Sequence, residues 1–164
     1  MSPISRSAIA IGKMSAISLI AALQASLIIG IALAIGVTFP NPLMIIPIMG
    51  IVILFSLGFS GISVTLAATA KSQETFWGMI NLLGMPLFML SPALFPLELL
   101  PSWLAVIAKL NPVTYTILLV RELMTGVSEG GVPILLSIGV ILAFVIAMVA
   151  IASYVFTREV NKPF

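Results

Sequence analysis

The sequence contains no cysteine and no histidine, and only 7% of its residues carry charge. The first absence removes disulfides and thiol nucleophiles, and the second removes imidazole bases. Together they remove the commonest transition-metal ligands. Charge this sparse lies far below the roughly 25% of soluble domains. The net charge of +2 comes from scattered basic residues, so no patch for nucleic acid forms. No G-x-x-x-x-G-K-[ST] loop is present, so ATP has no phosphate cradle here. The acidic residues are Glu74, Glu98, Glu122, Glu129 and Glu159. None lies in the middle of an uninterrupted apolar run, where a proton-relay carboxylate would sit. With no His, no Cys and no paired carboxylates, neither an enzyme nor a cofactor is expected.

What remains is apolar: 61% hydrophobic residues and a mean hydropathy of +1.29. The chain therefore reads as an all-α polytopic membrane protein forming one transmembrane domain over 1–164. Its 164 residues leave room for about four spans of ~20 residues each. The first long apolar run is too long for a cleavable signal peptide and lacks a small-residue cleavage site.

Residues 1–13 read as a cytoplasmic amphipathic segment. Ser2 and Pro3 form an N-cap and N1 pair. Ile4, Ala8 and Ile11 share one helical face, away from Ser5, Arg6 and Lys13. Such a helix can lie at the headgroups or dock a partner. Spans are predicted over 14–37, 43–68, 76–92 and 133–156. Gln24 and Asn81 are the strongly polar residues inside them, and Gln24 reads as an interhelical hydrogen-bonding residue. Ser56, Ser60, Gly61 and Thr65 have small-xxx-small spacing, which favours close helix packing. Ser72 is placed to cap the third span, with Glu74 in its first turn.

The stretch from Asn81 to Gly126 breaks this regularity. Pro86 should kink the third span, and Pro92, Pro96, Pro101 and Pro112 follow. Helices over 102–110 and 113–125 would be only ~14 and ~20 Å long, too short to cross hydrocarbon. Asn111 and Pro112 form a stop and restart between them. The prediction is an extracytoplasmic re-entrant helical hairpin over 96–126. Arg121 and Glu122 are the charged candidates at membrane depth, either as a structural tie or as a gate. If the hairpin does not cross, Arg6, Lys13, Lys71, Arg158 and Lys162 lie on one side, and Lys109 and Arg121 on the other. This bias puts both termini, including the tail 157–164, in the cytoplasm.

The ordered series Asn81, Pro86, Leu90-Ser91, Phe95-Pro96, Pro101, Trp103-Leu104, Asn111-Pro112, Tyr115, Arg121 and Gly126 resembles the membrane (permease) subunit of type-2 ATP-binding-cassette (ABC) exporters. That group includes drug, antibiotic and polysaccharide export permeases. Ser2 to Arg6 with Gly12-Lys13, and Lys71 to Phe76, resemble its cytoplasmic connecting segments. The resemblance implies six spans with an outer hairpin between the fifth and sixth. This chain would lack the first two, either because its start is internal to a longer gene, because the gene is split, or because it is a half-permease needing a companion. It also implies pairing with a second permease copy or companion, and docking of a cytoplasmic ABC ATPase dimer. Ser2, Pro3, Ile4, Ser5, Arg6, Ile11 and Lys13 would then couple to the ATPase. Phe95, Pro96, Trp103, Asn111, Pro112, Tyr115, Arg121 and Glu122 would form the outer hairpin or gate. The expected function is outward movement of a hydrophobic or amphipathic substrate (drug, lipid or glycolipid) across the cell membrane. A secondary transporter and a non-transporting assembly protein are the alternatives.

Overall fold

A computed structural model describes residues 6–39, 41–94, 96–128 and 130–159, and all regular elements among them are helical. In chain order these are α1 (Arg6–Ala34), α2 (Ile45–Thr69), α3 (Gln73–Met89), α4 (Ser102–Leu110), α5 (Pro112–Thr125) and α6 (Ile134–Glu159). Short 3₁₀ turns at Pro42–Met44 and Leu97–Leu99 precede α2 and α4. Three segments are long and apolar enough to cross a membrane: Ala8–Ala34, Pro42–Thr69 and Ile134–Arg158. Their mean hydropathies are 2.3, 2.4 and 3.1. The helices α4 and α5 meet at 88°, and together they would make a fourth if taken as one broken span. At 17 residues α3 is ~26 Å long, a little short of the ~30 Å hydrocarbon layer.

Two boundaries differ from the sequence expectation. The described part of the 1–13 segment is not a separate element, because α1 runs unbroken from Arg6 through Lys13 into the apolar run. The physical reason is that Gly12 alone supplies no stop signal, and no proline follows until Pro40. At the other end, α6 carries on through Thr157 and Arg158 rather than yielding to a tail at Thr157. Thr157 Oγ1 donates to Ser153 O at 2.7 Å, so its hydroxyl is satisfied inside the helix.

The helix ends show why the chain turns where it does. At the end of α1, Gly36 adopts φ 91°. Its N–H reaches Leu33 O at 3.1 Å and that of Val37 reaches Ala32 O at 3.0 Å, which together make a Schellman closure. Asn41 Oδ1 accepts from Leu43 N at 3.0 Å and opens the turn into α2. Ser72 Oγ accepts from Thr75 N at 3.1 Å and caps α3, as its sequence position predicts.

The core is built on α2 and α6. A Cβ at Gly61 would meet Met148 O at 2.9 Å, and one at Gly58 would meet the Phe144 ring at 2.9 Å. Phe55 and Phe144 stack beside them with centroids 5.8 Å apart. Because Gly58 opposes Phe144 and Val145 while Gly61 opposes Met148, the two helices run in the same direction. In the reverse sense, Ala10 and Met14 of α1 cluster with Val64 and Ala152, and Ser60 Oγ donates to Met14 O at 3.4 Å. The beginning of α1 and the ends of α2 and α6 therefore share one end of the bundle. Across the rest of the bundle surface, Leu19, Leu27, Leu82 and Leu135 are among the large apolar side chains left exposed. An outer face of that kind matches hydrocarbon solvent rather than water.

The close approach at Gly61 gives a direct test. Gly61→Ala should cost about 1–3 kcal/mol, because the opposing atom is backbone and cannot swing away. Gly50→Ala, where a Cβ meets nothing within 4 Å, should leave stability unchanged or slightly raised. Unfolding in detergent micelles, with each variant measured against the wild type, checks the contrast.

Candidate functional site

The break between α3 and α5 gathers several polar and charged side chains that bond across the chain. Pro86 lies inside α3 and cannot donate to Leu82 O, so the helix loses one bond there. Its last turn then tightens. Leu90 N bonds Pro86 O at 2.9 Å, and Ser91 N bonds Phe88 O at 3.2 Å. Ser91 Oγ also donates to Phe88 O, at 2.6 Å. Leu87 O is reached instead by Asn111 Nδ2 at 2.6 Å, from twenty-four residues along the chain.

Asn111 is buried, and its Oδ1 accepts from Val113 N at 3.0 Å as the N-cap of α5. Pro112 occupies the first helical position, where no N–H is needed. Three residues further along, Tyr115 Oη donates to Lys109 O at 2.7 Å and closes the end of α4. A second long-range tie follows, with Arg121 Nη2 donating to Pro92 O at 3.1 Å. Pro92 and Ser91 are both fully buried beneath it. Thr114 Oγ1 is buried without a hydrogen-bond partner among the described residues.

Arg121 and Glu122 diverge, as adjacent helical residues must. Arg121 serves the 91–92 segment. Glu122 instead lines a recess of about 270 Å³ with Asn41, Met44, Leu123, Gly126 and Ile134. That recess lies where α2 and α6 begin, so α5 ends at that end of the bundle. Leu119 packs with Ile141 and Val145, which seats α5 against the first half of α6. On a different face Leu118 packs with Leu97 and Ala108, binding α5 to α4 and the turn before it. Gly126, at φ 73°, then ends α5.

Of the predicted hairpin residues, Asn111, Pro112 and Tyr115 come together at the α4–α5 junction. Pro96 and Trp103 are exposed, and Phe95 lies outside the described residues. Of the predicted coupling residues, Ser2, Pro3, Ile4 and Ser5 lie outside the described residues, as does the side chain of Arg6. Ile11 is exposed. Lys13 Nζ sits over the Phe156 ring, 5.6 Å from its centroid. This cation–π contact from α1 to the last turns of α6 had no signal in sequence spacing. Gln24 and Asn81 are both exposed from the bundle.

Sequence reasoning also missed a groove of about 560 Å³ between α3 and α4, lined by Asn81, Met85, Met89, Leu100 and Leu104 among others. The spacing of Asn81, Met85 and Met89 marks one helical face and was the available signal. Apart from the Asn81 amide and the backbone, the named lining is apolar. The arrangement suits packing against an apolar body rather than bond-making chemistry.

Comparison with known proteins finds a family model and several relatives that match. Residues 1–125 match the family described as ABC-2 type transporter. A protein designated transport permease ycf38 in Cyanophora paradoxa is 33% identical over 107 residues, which cover 65% of this chain and 37% of that protein. Its namesake in Porphyra purpurea is 36% identical over 67 residues, covering 41% and 23% respectively. That of Pyropia yezoensis is 32% identical over 77 residues, covering 47% and 26%. The chain thus matches between about a quarter and little over a third of the length of these relatives. No solved structure matches it. With more than two thirds of its length matched and three segments apolar enough to cross a membrane, the chain belongs to the ABC-2 type transporter family of membrane permeases.

Proposed function

We propose that the chain is the transmembrane permease part of an ABC-type exporter, moving a hydrophobic or amphipathic substrate outward. A separate cytoplasmic ATP-binding subunit, acting as a dimer, would supply the energy, and a second permease copy or companion would complete the path. The observation that carries this reading is the family match over residues 1–125. The missing phosphate-binding loop supports it, since a permease of this kind leaves hydrolysis to its partner. The almost wholly apolar lining of the α3–α4 groove supports a substrate with a large apolar part.

The proposed topology has four spans, α1, α2, α3 and α6, with α4 and α5 as an outer re-entrant pair. Because α2 and α6 run in the same direction, the chain between them makes one net crossing. Assigning that crossing to α3 leaves α4 and α5 to enter and return on a single side. The 88° bend between them and the position of Gly126 near Asn41 support this assignment. Arg6, Lys13, Lys71, Arg158 and Lys162 then share one side, which the positive-inside rule makes cytoplasmic. Both termini would face the cytoplasm from the cell membrane.

At that cytoplasmic end the beginning of α1 lies beside the ends of α2 and α6, giving one compact place for a partner. Ser2 to Arg6, with Ile11 and Lys13, would be the ATPase-coupling surface. Lys13 also closes α1 on α6 through Phe156, so its substitution disturbs the fold as well as docking. Arg6→Glu combined with Ile11→Glu is the cleaner test. The double variant should insert normally but hold the co-expressed ATPase at least about tenfold more weakly, equivalent to ~1.4 kcal/mol. Co-purification at the wild-type ratio would contradict the coupling assignment. The chain purified alone should retain no fluorescent ATP analogue, as equilibrium dialysis would show. Saturable binding would contradict its dependence on a partner ATPase.

A further inference from the structure

Among the longer helices α3 is the least embedded. It carries no buried residue and packs chiefly along α2. Its far end is held by hydrogen bonds instead of by packing. Leu87 O has been left free by the tightened turn after Pro86, and Asn111 Nδ2 supplies its donor. The other end of the same amide, Oδ1, caps α5. One buried side chain thus closes the C-terminus of one helix and the N-terminus of another. Neither serine nor aspartate could do both, since serine is too short and a carboxylate has no donor. In a low-dielectric surround each of these bonds is stronger than in water, and an unmet carbonyl is costly.

We infer that Asn111 is a positioning residue for transport: it fastens the outer end of α3 to the α4–α5 pair, so that the two move together. Arg121, through Pro92 O, is the second fastening on the same joint. The groove between α3 and α4 keeps its width while these ties hold, and a displacement of α3 reaches α4 and α5 through them. The role in transport rests on the permease reading above. The tie itself does not.

The absence of cysteine makes the test clean, because labels can be placed without removing native thiols. Spin labels at Leu82 and Val106, both exposed, report the separation of α3 from α4. Labels at Thr125 and Leu142, also exposed, report α5 against α6. Asn111→Ser keeps an acceptor for Val113 N–H but cannot reach Leu87 O. In liposomes the full chain with this substitution should show about a tenfold larger detached fraction for α3–α4, with α5–α6 unchanged. An unchanged α3–α4 distribution would overturn the proposal, and so would equal broadening of both pairs. If Asn111→Ser does not assemble, Asn111→Asp is read in the same way. In the complex with its ATPase, Asn111→Ser should slow ATP-driven movement of a lipophilic fluorescent dye at unchanged ATPase binding. Undiminished movement would overturn the positioning role. A wild-type complex that moves no dye, with the α3–α4 contrast intact, would refute the exporter reading and leave the tie standing.

Discussion

Inside hydrocarbon no water is available to backbone N–H and C=O groups, so each must find a partner within the protein. Several irregular features of this fold answer to that constraint. Where α1 stops, a glycine closure consumes the last carbonyls. Hydroxyls within the apolar helices bond back to their own turns: Ser18 to Met14 O, Thr65 to Gly61 O and Thr116 to Pro112 O. At the break between α3 and α5, where local bonds run out, Asn111 and Arg121 reach across from another part of the chain. The break is tolerable because those two residues satisfy it.

A second consequence concerns direction. The glycines of α2 let α6 approach until backbone and ring atoms leave no room for a Cβ. This contact aligns α2 and α6 in the same sense, so in the proposed topology the chain between them has one net crossing to make. One helix with a proline inside it and one bent pair share that segment. The 17 residues of α3 come close to spanning, whereas the 9 of α4 and the 14 of α5 do not. In the proposed topology, packing at Gly58 and Gly61 therefore bears on which side the bent pair faces, although those residues lie on a different helix.

Much of this was legible in the sequence because the signals are local. The caps at Ser72 and Asn111, the proline at the start of α5 and the apolar runs of α2 and α6 follow from residue type and spacing. The α4–α5 break was readable from Asn111-Pro112 and from lengths alone. What was not legible depended on partners distant in the chain. Nothing near Asn111 indicates that its amide will reach Leu87 O, and nothing near Lys13 indicates Phe156. The unbroken passage of α1 through Lys13 was missed for another reason. A charge near the start of an apolar run suggests a boundary, whereas helix propensity carries straight through it. The family series from Asn81 to Gly126 was visible because its prolines and caps are themselves backbone necessities.

The account depends most on the bent pair re-entering on the side opposite Lys71. Single cysteines at Lys71, Val127 and Thr157 in the cysteine-free chain, labelled from either side of oriented vesicles with a membrane-impermeant maleimide, measure this directly. The account predicts that positions 71 and 157 label from the same side and position 127 from the opposite side. Labelling of 127 from the side of 71, or of 157 from the side opposite 71, would contradict it.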